Sequence, residues 1–183
     1  MEARPLTQNT DRDLAEDVLA RGDTAAFREL YRRHTPRLLG FVTRLLGRPT
    51  PESEDVVQEC WIRACTSLER FRWDSTLGTW LLAIALNVVR DHLRRNARSH
   101  DVTVAEMPDR PGPIVALDDR IDLERAIAMV PDDFRLVLVL HDVEGMKHKE
   151  IAAQLDIAPG TSKSRLFSAR RQVRAALAKG DRQ

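Results

Sequence analysis

The spacing of apolar residues constrains the fold of this chain more than any other feature. Across residues 11–98, and again from residue 118 onward, apolar side chains recur at intervals of three and four, and no stretch alternates convincingly with a period of two. One such stripe consists of Val56, Val57, Cys60, Trp61, Ala64 and Leu68. The pattern predicts an all-α protein made of helical bundles.

A polar segment over residues 71–79 is expected to be an ordered loop, and a longer segment interrupts the helical periodicity altogether. Residues 99–117 are acidic and sparsely apolar, and they contain Pro108, Pro111, Gly112 and Pro113. Such a composition is typical of a linker. We therefore expect two helical domains, residues 1–98 and 118–183, joined by a flexible linker over residues 99–117.

Helix boundaries follow from turn and capping residues. Thr50-Pro51 predicts a helix start, and Thr35-Pro36 predicts a kink or a fresh start inside the first helical stretch. Gly47 and Gly145 are expected to end helices. The predicted helical segments are residues 11–47, 51–69, 79–98, 118–130, a segment around 134–140, 148–155 and 161–177.

Composition excludes several classes of protein. The chain has 183 residues and a net charge of +1, with no apolar run long enough for a membrane span and no apolar segment near the N-terminus that would suit a secretory signal. We expect a cytoplasmic protein that does not insert into a membrane. Cys60 and Cys65 lack the partners of a disulfide framework or a zinc site. Because no catalytic, phosphate-loop or metal-ligand motif is present, we predict no enzyme activity, catalytic residue, metal or cofactor.

The distribution of charge is more informative than its total. Residues 61–100 carry a net charge of +4, and residues 147–183 hold nine lysines and arginines against three acids, whereas residues 1–60 and 101–146 are net −2 and −7. Two separate basic blocks indicate contact with a polyanion at two places, and nucleic acid is the obvious candidate. Solvated charged faces on an ordinary helical protein are the alternative.

The C-terminal basic block has the pattern of a helix-turn-helix. A short helix over residues 148–155 is followed by a turn containing Pro159 and Gly160 and by a longer helix over residues 161–177. The long helix has an inward apolar stripe and an outward face that carries Lys163, Phe167, Arg170, Arg171 and Arg174. Thr161, Ser162 and Ser164 lie at its N-terminus, where backbone N–H groups favour a phosphate. This helix is a candidate for the DNA major groove, and a basic surface helix on a bundle is the alternative.

A second candidate site lies in the first domain. One helical face carries Asn87, Arg90, Asp91, Arg94 and Arg98, with Arg95 beside them. The preceding segment mixes aromatic with small polar residues. That segment contains Phe71, Arg72, Trp73, Asp74, Ser75, Thr79 and Trp80. Stacking surfaces beside a basic stripe suit unpaired nucleotides. Burial of these aromatic side chains in the core is the alternative.

A third face combines acidic and polar residues that disfavour DNA. Asp55, Gln58, Glu59 and Arg63 lie together on the helix predicted over residues 51–69. A protein partner is the functional interpretation of this face, and a solvated surface is the alternative.

Together, these segments resemble bacterial RNA polymerase sigma factors of the extracytoplasmic-function (ECF) group over residues 14–98 and 118–177. The motifs that carry the resemblance are Asp55-Val56-Val57-Gln58-Glu59, Phe71-Arg72 with Asp74-Ser75, Thr79-Trp80-Leu81, Asp91-His92-Leu93-Arg94-Arg95, Glu150-Ile151-Ala152 and Lys163-Ser164-Arg165-Leu166. Their order, their spacing and the intervening linker match the family.

The resemblance implies a role for each face. The first domain would bind the clamp coiled coil of the polymerase beta-prime subunit through Asp55, Gln58, Glu59 and Arg63. It would recognise and melt the minus-ten element through Phe71, Arg72, Trp73, Asp74, Ser75, Thr79, Trp80, Asn87, Arg90, Asp91, Arg94 and Arg95. The second would recognise the minus-thirty-five element through Lys149, Thr161, Lys163, Ser164, Arg165, Phe167, Ser168, Arg170, Arg171 and Arg174.

The resemblance also implies the partners. They are core RNA polymerase (beta-prime clamp and beta flap), promoter DNA in duplex and single-stranded form, and an anti-sigma factor. Leu86, Ser162, Ser168 and Trp73 depart from the residues common in the family. Two other functions remain open at this point. One is a helix-turn-helix regulator that is not a polymerase subunit, and the other is a helical interaction module without DNA contact.

Overall fold

The computed structural model describes residues 9–47, 50–100 and 119–180, and every regular element in these ranges is helical. The helices are α1 Asp11–Arg21, α2 Thr24–Leu46, α3 Pro51–Ser67, α4 Leu77–His100, α5 Asp119–Ala128, α6 Asp132–Leu138, α7 His148–Leu155 and α8 Pro159–Gly180. A 3-10 turn spans Leu68–Arg70, and a π-helical turn spans Val139–Val143. The expected all-α class is therefore confirmed.

The chain divides into two compact units. One comprises Met1–Val42 and Thr50–His92, and the other comprises Thr43–Pro49 and Leu93–Gln183. Most of the linker expected over residues 99–117 lies outside the described residues. The domain limits at residues 98 and 118 therefore stay a prediction.

Local sequence signals set most helix starts. The Thr10 Oγ1 accepts a hydrogen bond from the Asp13 backbone N–H at 3.2 Å, and the Asp13 carboxylate accepts one from the Thr10 N–H at 2.9 Å. Two orphan amides at the start of α1 are thereby satisfied. Thr50 and Pro51 begin α3 as expected, with proline in the first turn. The helix α1 ends at Arg21 and is capped by Gly22, whose φ of 61° suits glycine. The stretch predicted over residues 11–47 is therefore two helices, α1 and α2.

Of the two outcomes expected at Thr35-Pro36, a fresh helix start is absent, because α2 runs through Pro36. Leu30, Leu38 and Phe41 are buried on both sides of the proline, so packing holds the two halves in one helix. Thr35 does not cap a helix. Its Oγ1 accepts a hydrogen bond from Trp61 Nε1 at 3.1 Å, which joins α2 to α3.

The apolar stripes form the two cores. The stripe that runs from α3 into the 3-10 turn is buried at all six residues, as the spacing predicted. On α4 the core residues are Leu77, Leu81, Ala85, Leu86, Val88 and Val89, whereas Trp80 and Ile84, which we expected to be buried, are only half-buried. In the second unit, the buried residues include Val137, Leu140, Ile151, Leu155, Leu166 and Ala169.

Candidate nucleic-acid and polymerase interfaces

The helix-turn-helix predicted in the second unit is present as α7 and α8. Asp156 ends α7 with a left-handed backbone (φ 55°), and its N–H donates to the Ala152 carbonyl. The second helix begins at Pro159, two residues before the predicted start, because proline is well tolerated in a first helical turn. Ile151, Ala152 and Leu155 of α7 and Leu166, Ala169 and Val173 of α8 are buried, as expected.

The outward face of α8 carries the predicted cations. The exposed cations of α8 are Lys163, Arg170, Arg171 and Arg174, and Lys149 is exposed on α7. Phe167 lies among the cations of α8 and is 65% exposed. Ser164 is exposed and its Oγ donates to the Thr161 carbonyl at 3.0 Å, whereas Thr161 and Ser168 are half-buried. An exposed aromatic ring among cations is suited to contact with base edges and phosphates.

Three residues of this helix have partners within the unit that the sequence did not predict. Arg165 Nη2 lies 2.6 Å from Asp133 Oδ2 on α6, and Arg170 makes two hydrogen bonds to Asp142 in the π-helical turn. Ser162, expected beside a phosphate, is fully buried and hydrogen-bonded to His148 Nδ1 at 2.9 Å. Ser162 therefore packs between α7 and α8 and does not reach the surface.

The loop before α4 and the first turn of α4 together hold a row of three aromatic rings, those of Phe71, Trp73 and Trp80. Phe71 stacks on Trp80 with centroids 4.7 Å apart and an interplanar angle of 20°, and Trp73 lies against Phe71 at 4.8 Å. All three rings are half-buried, so each keeps an accessible part. The guanidinium of Arg12, on α1, lies over the Trp73 ring at 5.9 Å. Sequence reasoning missed Arg12, because no local pattern links it to residue 73.

The backbone at Trp73 is left-handed, with a φ of 61°. A bulky side chain in this region costs roughly 1–2 kcal/mol relative to the right-handed conformation. The neighbouring Arg72, Asp74 and Ser75 are exposed. Thr76 caps α4, since its Oγ1 accepts from the Thr79 N–H at 3.2 Å, and Thr79 is exposed on the first turn of the helix.

The polar face of α4 continues from this loop. Asn87, Arg94 and Arg95 are exposed, and Arg90 and Asp91 are half-buried. Leu86, which departs from the family pattern, is 2% exposed and belongs to the core. Leucine at this position therefore contributes packing and no surface charge.

The acidic face of α3 lies in the first unit. Asp55 and Gln58 are exposed, Glu59 is half-buried, and Arg63 Nε donates to Glu59 Oε1 at 2.7 Å. That hydrogen bond raises the pKa of Arg63. Ile62 is 59% exposed and shares this face, being seven residues after Asp55. The same spacing would have revealed Ile62 in the sequence.

Among the residues that the structure describes, no group of three or more histidine, cysteine or acidic side chains is arranged to hold a metal ion. No helix in the described part of the chain combines the length and apolar character needed to cross a bilayer.

Comparison with known proteins identifies the family. Residues 30–99 match the family model for sigma-70 region 2, and residues 120–173 match that for sigma-70 region 4. The RNA polymerase sigma-H factor of Pseudomonas aeruginosa is 35% identical, with 94% of this chain and 96% of the relative covered. The ECF RNA polymerase sigma-E factor of Escherichia coli is 34% identical, with 91% and 93% covered.

Solved structures agree with this result. The sigma factor RpoE of Bartonella quintana, in complex with the anti-sigma factor NepR, is 27% identical with a TM-score of 0.61, covering 83% of this chain and 96% of that one. CnrH, in complex with the cytosolic domain of CnrY, is 28% identical with a TM-score of 0.56, covering 93% and 99%. The alternatives of a separate regulator or an adaptor are not favoured. The chain belongs to the ECF group of RNA polymerase sigma factors, which direct the polymerase to promoters.

Proposed function

We propose that different helices of the chain recognise the two promoter elements. The outward face of α8 recognises the duplex minus-thirty-five element, while the aromatic row and the polar face of α4 recognise and open the minus-ten element. The observation that carries this proposal is the exposed face of Lys163, Phe167, Arg170, Arg171 and Arg174 opposite the buried stripe of the same helix. Such a helix can enter a major groove with its cations on the flanking phosphates.

Charge reversal on α8 tests the duplex contact. The Lys163→Glu/Arg171→Glu variant should bind a selected promoter at least tenfold more weakly as holoenzyme, with the slope of log affinity against log salt reduced by about 2. Arg21→Glu/Arg28→Glu makes the same charge change on exposed positions of α1 and α2 and should leave promoter binding within about twofold. Unchanged promoter binding by the α8 variant would exclude the proposed role of this helix.

For the single-stranded element, the support comes from the row Phe71, Trp73 and Trp80. Stacking of an unpaired base on an aromatic ring contributes about 1–3 kcal/mol, which offsets an unstacking cost of a few kcal/mol. Binding of the separated strand can therefore drive opening without nucleotide hydrolysis. The exposed Asn87, Arg94 and Arg95 on α4 are suited to holding the strand backbone.

Permanganate reactivity of unpaired thymines measures this opening. Trp80→Ala holoenzyme should bind the promoter duplex as well as the parent but give at least fivefold less reactive thymine. Ile84→Ala, one turn along the same helix and also half-buried, is the control for lost packing. Equal reactivity in the parent and the Trp80 variant would contradict the role of the aromatic row.

The acidic face of α3 is our proposed contact with the polymerase clamp. Asp55 and Gln58 are exposed beside an exposed Ile62, and apolar side chains flanked by polar groups are typical of protein interfaces. Asp55→Arg should weaken binding to fluorescent core polymerase at least tenfold. Glu69→Arg reverses the charge of another exposed acid in this unit and should have little effect. Equal affinities for both variants would rule out this face.

Regulation by an anti-sigma factor is a further part of the proposal. The RpoE relative is solved in complex with one, and its fold covers most of this chain. We expect a partner of this chain to compete with core polymerase, so that adding the purified partner abolishes promoter-dependent transcription. A function on chromosomal promoters also requires a cytoplasmic location.

A further inference from the structure

A cluster of polar side chains joins the two helices of the helix-turn-helix to the π-helical turn before them. We call it the Asp142 cluster, and it consists of His141, Asp142, His148, Ser162 and Arg170. Asp142 accepts hydrogen bonds from Arg170 Nε at 2.9 Å (Oδ2) and Nη2 at 2.6 Å (Oδ1), and the same Oδ1 accepts from His141 Nδ1 at 2.7 Å.

The position of Asp142 depends on the wide turn at the end of α6. The Glu144 N–H donates to the Val139 carbonyl at 3.1 Å, five residues back, and the Met146 N–H donates to the Leu140 carbonyl at 3.0 Å. Gly145 then turns the chain with a φ of 70°. A π-helical turn inserts an extra residue into the helical repeat, which re-aims the side chains that follow it.

Two histidines connect this carboxylate to the helix-turn-helix. The rings of His141 and His148 stack with centroids 4.6 Å apart, and His148 is hydrogen-bonded to the fully buried Ser162 in the first turns of α8. Asp142 is thus linked through side chains to both helices of the motif. The hydrogen bond from Arg170 lowers the pKa of Asp142, so the carboxylate is charged at neutral pH.

The pairing with Asp142 also fixes the orientation of the Arg170 guanidinium at the surface of α8. Two parallel hydrogen bonds use the Nε and Nη2 edge of the guanidinium and fix its plane, while the Arg170 side chain remains 49% exposed. The Nη1 group is directed away from that edge and keeps its hydrogens for an external acceptor. A preorganised donor loses less freedom when it meets a base edge or phosphate.

We propose that Asp142 is a positioning residue for promoter recognition, which holds the Arg170 guanidinium in the orientation that distinguishes the correct duplex from others. This inference rests on the proposed role of α8. An acidic side chain near DNA repels phosphates, so its removal through charge alone would strengthen binding to every sequence. Loss of positioning would instead weaken binding to the preferred sequence only.

The experiment measures that difference as a specificity ratio. Holoenzyme with the full chain binds a fluorescent duplex selected from a random promoter library by the parent, and a scrambled duplex, at one salt concentration. Asp142→Asn should lower the ratio of the two affinities about tenfold while leaving scrambled-duplex binding equal or stronger. Asp156→Asn removes the same charge at an exposed left-handed position that asparagine tolerates, and the ratio should stay within about twofold.

A second variant keeps the test decisive if Asp142→Asn folds poorly. Arg170→Lys alters an exposed side chain, keeps the charge and loses the paired geometry, so it should lower the ratio as far as Asp142→Asn does. An unchanged ratio in Arg170→Lys, or in folded Asp142→Asn, overturns the positioning role. If Lys163→Glu/Arg171→Glu also binds normally, the proposed role of α8 fails as well. If that variant loses promoter binding as expected, the role of α8 stands and only the positioning role of Asp142 fails.

Discussion

Arg63 on α3 and Asp91 on α4 are joined by an ion pair, with Arg63 Nη1 3.4 Å from Asp91 Oδ2. Arg63 also pairs with Glu59, so one guanidinium links the acidic face of α3 to the polar face of α4. The Arg63 and Asp91 side chains are 41% and 38% exposed, and ion pairs at such exposure contribute about 0–1 kcal/mol. The pair therefore contributes little to the free energy of unfolding, and its main effect is to hold the two faces in a fixed orientation.

Removing the Arg63 ion pairs should weaken binding to core polymerase without unfolding the protein. Arg63→Ala is expected to weaken binding to core polymerase at least fivefold while lowering the free energy of unfolding by less than about 1 kcal/mol, as measured by fluorescence titration and urea unfolding. Arg70→Ala, on an exposed arginine of the 3-10 turn, is the control. A fall in stability above about 3 kcal/mol would mean that Arg63 supports the fold.

Trp73 offers a test of backbone strain. Trp73→Gly and Trp73→Ala both remove the indole and its contact with Phe71, so they differ mainly in their tolerance of a φ of 61°. The glycine variant should be the more stable by about 1 kcal/mol, the reverse of the order at ordinary positions. Chemical unfolding of the two variants measures this difference. Greater stability of the alanine variant would show that residue 73 leaves the left-handed region once the indole is lost.

Periodicity and capping residues were sufficient to predict the helical class and several boundaries. The limits of α7 are those predicted, and Thr50-Pro51 begins α3 because the first turn needs no proline N–H. Pro36 shows where such reasoning fails. The same dipeptide chemistry lies inside α2, and the outcome was decided by the burial of Leu30 and Leu38, which a local signal does not contain.

The sequence was sufficient to predict which residues share an exposed helical face, but not the hydrogen bonds and ion pairs that join different helices. The exposed cations of α8 follow from helical spacing, whereas Arg165–Asp133 and His148–Ser162 join residues 32 and 14 positions apart. Trp80 has core spacing but stacks on Phe71 and stays half-buried, because the loop over residues 71–76 supplies a partner ring at the surface. Pairings between elements depend on tertiary packing, so one sequence does not reveal them.

The two cysteines provide a probe of opening in the first unit. Burial raises the pKa of Cys60 to about 12. Cys65 is an exposed residue, and partial burial of its thiol raises its pKa as well. At pH 8 a maleimide should label one thiol per chain, at Cys65, and reach Cys60 only when the unit unfolds. Mass spectrometry in increasing urea measures both stages. The Cys65→Ser variant should take no label in native buffer, and rapid native labelling of Cys60 would contradict its burial.

His148 should make the helix-turn-helix less stable in mild acid. Burial, followed by the nearby charges of His141, Lys163 and Arg170, lowers the pKa of His148 below its ordinary 6.5, and Asp142 opposes this effect. The unfolded state therefore binds more protons as pH falls below about 6.5, and stability is lost in that direction. Hydrogen exchange of α7 and α8 peptides in the full chain, corrected for intrinsic rates, should show less protection at pH 5.5 than at pH 7.5.

The His148→Gln variant is the control, because it removes the titrating group and should abolish the difference in protection between the two pH values. The lowered pKa of Asp142 acts only near or below its ordinary 3.8, outside this range. Equal pH dependence in the parent and the glutamine variant would assign the effect to another group.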